Sequence, residues 1–217
     1  MKLLKELNES VELITESIAG GGKNYYIQGK FIQSEVENKN KRIYPKGVVK
    51  PEVDRYIDEF VKTNRAYGEL QHPIDRPNID FDRVSHLTVE LDEQGNDWIG
   101  KAVIADTDKG KIVKALMDIG GKFGVSTRGL GSLKSGSNGI STVQNDFKLM
   151  TAADIVADPS APDAIVEAIM EETEWIMDRN GNWVQVMEGY RNQIRNATTK
   201  GLQEEKIKVI RDFFSRI

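Results

Sequence analysis

The sequence predicts a mixed α+β domain built around an antiparallel sheet or barrel, on three observations. Short segments rich in β-branched and aromatic residues lie between turns, and these predicted strands are 25–31, 84–91, 97–104, 123–127, 139–143 and 147–156. A hairpin loop at 93–96 joins two of them. Two segments with apolar residues at helical spacing, 48–62 and 107–121, interrupt the strands, an order typical of the α+β class.

Composition excludes several functions. The 217 residues contain no cysteine and two histidines, which excludes disulfides, thiol catalysis and a closed zinc site of the Cys/His type. The net charge of −4 gives no overall attraction for nucleic acid. No apolar run is long enough to span a membrane, and the N-terminus does not resemble a signal peptide, so we expect a cytoplasmic protein.

The two ends of the chain are predicted to be helical arms. In residues 1–22, apolar side chains recur every three or four positions and three glycines follow, which predicts an amphipathic helix that is a removable propeptide or packs on the domain. Residues 164–217 are predicted as a C-terminal helical arm, interrupted by a hairpin at 175–187. Their basic tail keeps a nucleic-acid-binding module open as a competing hypothesis.

His72 is a candidate general base. It lies in Gly-Glu-Leu-Gln-His-Pro at 68–73, and a residue that precedes proline favours extended backbone. A strand end or a turn would hold its ring in a fixed direction, as a base requires; from its position alone, a structural role is equally open. His86 lies in an alternating segment and is interpreted as an ordinary strand residue.

Ser126 is a candidate nucleophile. The block Gly-Val-Ser-Thr-Arg-Gly-Leu-Gly at 124–131 predicts a short strand that runs into a glycine-rich turn, whose amides could bind an oxyanion. A serine nucleophile needs a base within hydrogen-bond reach, and only the fold can bring His72 to it. The block lacks the last glycine of the Gly-x-Ser-x-Gly motif, so a loop with solvent-exposed serines is the alternative.

Three motifs together resemble a known family. They are the blocks at 68–73 and 124–131 and the segment Asn-Lys-Asn-Lys-Arg-Ile-Tyr-Pro at 38–45. In combination they resemble the prohead core proteases of tailed bacteriophages, which are distantly similar to the herpesvirus assemblins. The resemblance covers residues 25–163, and the segment at 158–163 belongs to it.

The resemblance implies a serine endopeptidase with an assemblin-like antiparallel β-barrel surrounded by helices, which needs no metal or cofactor. Ser126 would be the nucleophile and His72 the general base. The third catalytic member lies on the strand after the serine in this family, which favours Asp154; Glu69 is the alternative.

The same block supplies candidates for the oxyanion site. Arg128 and Gly129 follow Ser126 closely and are the residues we expect to stabilise the negative charge of the tetrahedral intermediate.

The family typically cleaves after glutamate with Ile or Leu two residues earlier. Eight such segments occur in this chain, and six of them lie in the arms. Self-cleavage is therefore expected within the arms, after Glu6, Glu9, Glu16, Glu167 or Glu171. This divides the chain into a removable arm at 1–22, a protease domain at 23–163 and an arm at 164–217.

The resemblance also implies partners and a location. The substrates would be phage scaffold core and capsid proteins, and the enzyme would be a homo-oligomer with no nucleic-acid or membrane partner. It would act inside the prohead, within the host cytoplasm. The alternative is a catalytically inert capsid-assembly or scaffold-associated protein of the same fold.

Overall fold

The computed structural model describes residues 2–8, 11–17, 23–73, 76–156, 175–177 and 183–185. The chain divides into two compact units, Met1–Glu172 and Thr173–Ile217. The described strands of the first unit are β1 (Lys2–Asn8), β2 (Val11–Ser17), β3 (Lys23–Gln33), β4 (Arg42–Ile43), β5 (Tyr67–Glu69), β6 (Val84–Gln94), β7 (Asp97–Ile104), β8 (Gly124–Gly131), β9 (Leu133–Ser135), β10 (Ser141–Val143) and β11 (Lys148–Val156).

These strands form three sheets. The largest is antiparallel and has the order β2-β3-β7-β6-β5. A second antiparallel sheet has the order β1-β8-β11, and a small third sheet has the order β4-β10-β9. The predicted α+β class is confirmed, and the six predicted strands coincide with β3, β6, β7, β8, β10 and β11.

The predicted closed barrel is not found among the described residues. A barrel requires every strand to pair with two neighbours, and the sheets here have free edges. Where β5 ends, a parallel bridge between Leu70 and Ile155 links the two large sheets. This junction brings residues 70–72 beside β11.

Two α-helices are present in the described part of the chain, and both were predicted. Helix α1 (Lys46–Tyr56) continues into a π-helical turn (Ile57–Val61) and buries Val49, Val53 and Tyr56 at helical spacing. Helix α2 (Asp108–Asp118) begins after Thr107, whose side chain accepts a hydrogen bond from the backbone N–H of Gly110 as expected for an N-cap. No helix among the described residues is long and apolar enough to cross a membrane.

The predicted N-terminal helix is wrong. Residues Lys2–Asn8 and Val11–Ser17 are strands that pair along their full lengths with β8 and β3, respectively. Pairing with an existing sheet satisfies the backbone of each segment, and this tertiary interaction outweighs the helical spacing of the leucines and isoleucines. Leu4 is buried in the core of the domain.

The second unit contains an antiparallel pair of strands, β12 (Trp175–Met177) and β13 (Trp183–Gln185), as the hairpin prediction for 175–187 requires. The turn of this hairpin and the predicted helices on both sides of it lie outside the described residues.

Candidate active site

Three of the predicted site residues converge at the junction of the two large sheets. Ser126 is on β8 and Asp154 is directly opposite on β11. His72 follows β5, where the backbone N–H of Gln71 donates to the carbonyl of Ile155 at 2.8 Å. Gln71 has φ 67°, a left-handed conformation that non-glycine residues seldom adopt, and the chain bends there immediately before His72.

His72 and Asp154 form a hydrogen bond. The Nδ1 atom of His72 lies 2.9 Å from Oδ2 of Asp154, so the ring donates from Nδ1 and leaves Nε2 as its second nitrogen. The other carboxylate oxygen, Oδ1, accepts from the backbone N–H of Glu69 at 2.9 Å. Hydrogen bonds from the last residue of β5 and from the segment that follows it therefore hold this part of the chain to Asp154.

Arg128 is the counter-charge of the buried aspartate. Its Nη2 donates to Asp154 Oδ1 at 3.1 Å, and its Nε lies 2.6 Å from Oδ2 as a charge contact without hydrogen-bond direction. Burial alone would raise the pKa of Asp154, but the positive charge of Arg128 and the hydrogen bonds from His72 and Glu69 lower it to about 2. Asp154 is therefore ionised at neutral pH.

Glu69 is buried but does not contact His72. Its carboxylate accepts hydrogen bonds from both terminal nitrogens of Arg76, each at 2.8 Å, and from the backbone N–H of Asp80 at 2.8 Å. Arg128 Nη2 lies 3.4 Å from Oε1 of Glu69. Arg83 Nε lies 3.6 Å from Oε2, so the alternative third member pairs with three arginines. Asp154 is the carboxylate that contacts the histidine.

The two atoms that serine chemistry requires are unpartnered. Ser126 Oγ and His72 Nε2 are both buried, and neither has a hydrogen-bond partner among the described residues. Buried polar atoms without a partner are rare, and each one calls for an explanation. Because directly opposed residues share one face of a sheet, Ser126 lies on the face of Asp154, the residue that binds the imidazole.

Irregular pairing of β11 determines which residue faces Ser126. Two register shifts lie between the Leu149 and Asp154 pairs, and the second puts Ala152 and Ala153 opposite the single residue Thr127. We call this pair of alanines the β11 bulge. Bulges of this kind redirect side chains and occur often beside active sites.

The oxyanion candidates lie within a continuous strand, and the predicted glycine-rich turn is wrong. Segment Gly124–Gly131 is strand β8 throughout, because β1 and β11 pair with it on both sides. Gly129 is paired with Leu4 and Leu149, and a Cβ there would lie 2.4 Å from the Phe147 ring. Its role as an oxyanion donor stays a prediction.

Of the predicted cleavage sites, Glu6 and Glu16 lie in described segments. In β1, Glu6 pairs with Thr127 and Leu7 pairs with Ser126. Glu16 is an exposed residue of β2 that forms an ion pair with Lys101 at 2.9 Å. The other candidates, Glu9, Glu167 and Glu171, lie outside the described residues.

Sequence analysis missed two side chains near the site. His86 was interpreted as an ordinary strand residue, and Arg76 was not singled out; His86 contacts the carbonyl of Ala153, and Arg76 binds Glu69. For His86 the available signal is Gly68, its pairing partner, where a Cβ would lie 2.1 Å from the imidazole.

A mixed α+β fold brings Ser126, His72 and the buried Asp154 to one junction, and these are the residue types of a serine peptidase site. The family model of the prohead core protein serine proteases matches residues 6–174, and the chain belongs to this family of bacteriophage capsid-assembly proteases.

Two comparisons with individual proteins agree with this assignment. The chain is 43% identical over 143 residues to the prohead core protein protease of Enterobacteria phage T4, covering 65% of this chain and 67% of that protein. It is also similar to the solved structure of the bacteriophage T4 capsid assembly protease, gp21, with a TM-score of 0.69 and 36% identity, covering 73% of this chain and 98% of that one.

Proposed function

We propose that this prohead protease is a serine endopeptidase in which Ser126 is the nucleophile, His72 the general base and Asp154 the residue that orients the base. The observation that carries the proposal is the pair of buried, unpartnered atoms, Ser126 Oγ and His72 Nε2, near one ionised carboxylate. These are the atoms that must exchange a proton when serine attacks a carbonyl.

The reaction follows from these contacts. Ser126 Oγ attacks the scissile carbonyl while its proton moves to His72 Nε2, and the imidazolium that forms is stabilised by the Asp154 carboxylate at Nδ1. The tetrahedral intermediate then releases the amine, which takes the proton from Nε2. Water attacks the acyl-enzyme with His72 again as base, and Ser126 Oγ recovers its proton.

We assign Arg128 to the electrostatics of the triad instead of the oxyanion site. Among the described residues, its polar contacts within hydrogen-bond or ion-pair distance are to the carboxylates of Asp154 and Glu69 and the carbonyls of Pro77 and Asn78. A guanidinium engaged in this way keeps Asp154 ionised and does not turn toward a substrate.

Strand β1 is the proposed internal substrate. Leu7 pairs with Ser126 and Glu6 with Thr127, so the Glu6–Leu7 peptide bond runs alongside the strand that carries the nucleophile. Neighbouring strands are about 4.8 Å apart, which is within a small shift of the distance for attack. We infer that β1 blocks the site until cleavage after Glu6 releases it.

The same pairing suggests how substrates bind. When β1 leaves, the edge of β8 becomes available, and a Leu/Ile-x-Glu segment can add as a strand in its place. Leu4 occupies the position two residues before Glu6, and it is buried with its Cδ1 atom 3.2 Å from the point where Gly131 would carry a Cβ. The buried position that the Leu4 side chain occupies would be the subsite for the Leu or Ile of a substrate.

The proposed substrates are the capsid and scaffold core proteins of the phage, cleaved after glutamate inside the prohead. The relatives are named for the prohead core and for capsid assembly, which supports this choice. Further cleavage after Glu167 or Glu171 would remove the C-terminal arm, and a homo-oligomer would bring one chain's arm to another chain's site.

Intact mass against time tests the proposal. The wild type is expected to lose residues 1–6, whereas Ser126→Ala and His72→Ala stay uncut. Ser132→Ala is the matched control, because this serine is near the same block but its hydroxyl binds Asp146 instead. Equal cleavage in Ser126→Ala would remove this serine from its role. Two results together would favour the inert capsid-assembly protein. The wild type would stay uncut, and a chain that begins at Leu7 would not be labelled by a fluorophosphonate.

A further inference from the structure

In the β11 bulge, some backbone groups cannot form the hydrogen bonds of a regular strand pair. Ala152 and Ala153 face one residue, Thr127, so the bulge cannot exchange the usual cross-strand hydrogen bonds at both positions. Both alanines are fully buried, which prevents water from taking the place of the missing partners. Each carbonyl of the bulge therefore needs a donor from elsewhere in the protein.

Side chains supply these donors. Thr127 Oγ1 lies 3.2 Å from the carbonyl of Ala152 and 3.0 Å from that of Phe31, so its hydroxyl proton is shared between two acceptors. His86 Nε2 lies 3.0 Å from the carbonyl of Ala153. At the same bulge, the hydroxyl oxygen of Tyr56 accepts a hydrogen bond from the backbone N–H of Ala152.

The tautomer of His86 follows from its two neighbours. A carbonyl can only accept, so Nε2 carries the proton, and Nδ1 accepts from the Ser85 hydroxyl at 2.9 Å. His72 has the opposite tautomer, since its Nδ1 donates to Asp154. The two histidines of the chain are thus distinguishable by the nitrogen that is protonated.

The hydrogen-bond partners of the bulge come from three different elements. Tyr56 ends α1, Thr127 lies on β8 between Ser126 and Arg128, and His86 lies on β6. All three are buried. The bulge is therefore fixed from three directions, and the residue that follows it is Asp154.

We propose that His86, Thr127 and Tyr56 are positioning residues that hold the β11 bulge in the register that puts Asp154 opposite Ser126. They act through the aspartate and do not touch a substrate. The importance of this register for catalysis rests on the proposed serine mechanism. The claim that these residues hold the register does not depend on that mechanism.

Nuclear magnetic resonance on the full chain tests the proposal, with Ser126→Ala as the parent to prevent self-cleavage. With histidine labelled by ¹⁵N, the parent is expected to show a slowly exchanging Nδ1–H for His72 and an Nε2–H for His86. Adding Thr127→Val, which is nearly isosteric, should accelerate exchange of the His72 proton at least tenfold or abolish its signal. Thr127→Ser keeps a hydroxyl and should restore the signal.

The chain provides a matched control. Thr151 is a buried threonine on β11 whose hydroxyl has no hydrogen-bond partner in the described part of the chain, so Thr151→Val removes the same group without removing a hydrogen bond to the bulge. It should leave the His72 signal unchanged. His86→Leu should act like Thr127→Val, and His86→Gln, which retains a donor, should recover part of the effect.

The outcomes separate this proposal from the proposed function. Equal His72 exchange in the Thr127→Val and Thr151→Val proteins, or a parent without the Nδ1–H signal, would overturn the positioning role. Failure of the serine mechanism appears elsewhere, as cleavage that persists in Ser126→Ala. In that case the exchange rates are compared on uncut protein isolated from each variant, because exchange reports the Asp154 contact and not catalysis.

Discussion

Asp154 lies directly opposite Ser126, although regular pairing would put Ala152 there. Lys148 pairs with Leu130, and an uninterrupted ladder from that pair would match Ser126 with Ala152. The two register shifts in β11 move the match by two residues, so the side chain on the same face as Ser126 becomes a carboxylate. The candidate triad therefore depends on irregular strand geometry as well as on residue type.

Replacing Asp154 with asparagine should nearly abolish cleavage. An asparagine cannot stabilise an imidazolium at His72, and in a serine protease triad this change lowers the rate by roughly 10⁴-fold. It also leaves the buried Arg128 without its main counter-charge, which should cost about 3–5 kcal/mol of stability. The checks are the self-cleavage rate from intact mass and the urea unfolding midpoint.

The control for Asp154→Asn is Asp146→Asn. Asp146 accepts hydrogen bonds from the backbone and side chain of Ser132 at an exposed position, remote from the carboxylate cluster. Its substitution should leave the rate unchanged. A folded Asp154→Asn protein that cleaves as fast as Asp146→Asn would exclude the aspartate from the mechanism.

Glu69→Gln distinguishes the two candidate acids. Glu69 binds Arg76 through both oxygens and does not contact the histidine, so its loss should lower thermal stability more than it lowers the cleavage rate. Asp154→Asn should show the opposite balance, with the larger effect on rate. If Glu69→Gln, measured well below its unfolding temperature, abolished cleavage while Asp154→Asn did not, the roles of the two residues would be exchanged.

The fold class was predictable from the sequence because its strands and helices have strong local patterns. The segment that forms α2 and the hairpin loop after β6 were predicted correctly for the same reason. The helix prediction for residues 1–22 failed because leucines at helical spacing also suit an edge strand. Only pairing with β8 and β3 decides between helix and strand.

The candidate site was predictable only in part. The resemblance led to Ser126, His72 and Asp154, but no sequence period indicates a bulge, so the donors to the β11 bulge were invisible. Arg128 was interpreted as an oxyanion residue because the buried carboxylates that it binds come from distant segments of the chain. Long-range charge pairing of this kind has no local signature.

Gly68→Ala should distort the contact between β6 and β11. A Cβ at this position would lie 2.1 Å from His86 Nε2 and 2.3 Å from the carbonyl of Ala153, and neither the ring nor the backbone can retreat easily. We expect a loss of about 1–3 kcal/mol or more. Gly47→Ala, which meets nothing within 4 Å at the start of α1, should be neutral or stabilising by up to about 1 kcal/mol. Equal stability of both variants in urea unfolding would contradict this packing.

Stability should rise with pH between about 4 and 6.5 because of His86. Burial lowers its pKa from 6.5 to about 4, so in this window the unfolded chain binds a proton that the folded chain does not. The shift corresponds to about 3 kcal/mol, fully present above pH 6.5 and lost as the pH falls to 4. His86→Gln removes this group, and its free energy of unfolding should change less with pH than that of the wild type. If the free energy of unfolding changed with pH in the same way for both proteins, His86 would have the same pKa in the folded and the unfolded chain.

Leu4→Ala tests whether β1 is held by its side chain as well as by strand pairing. Leu4 is buried beside Gly131, so truncation should destabilise the uncut protein by about 2–5 kcal/mol. The same leucine is the residue two positions before Glu6. Cleavage after Glu6 should become slower because the subsite that this side chain fills is left empty. Urea unfolding of the Ser126→Ala form and intact mass of the active form measure these two effects separately.

Leu116→Ala is the matched control, because this leucine is partly exposed on α2 and its loss should change stability by less than about 0.5 kcal/mol. The two readouts of Leu4→Ala are expected to move together, since one side chain both anchors β1 and fills the proposed subsite. Destabilisation with an unchanged cleavage rate would restrict Leu4 to packing and remove the subsite. Faster cleavage would mean that release of β1 limits the reaction, and that the leucine acts chiefly as a lock on β8.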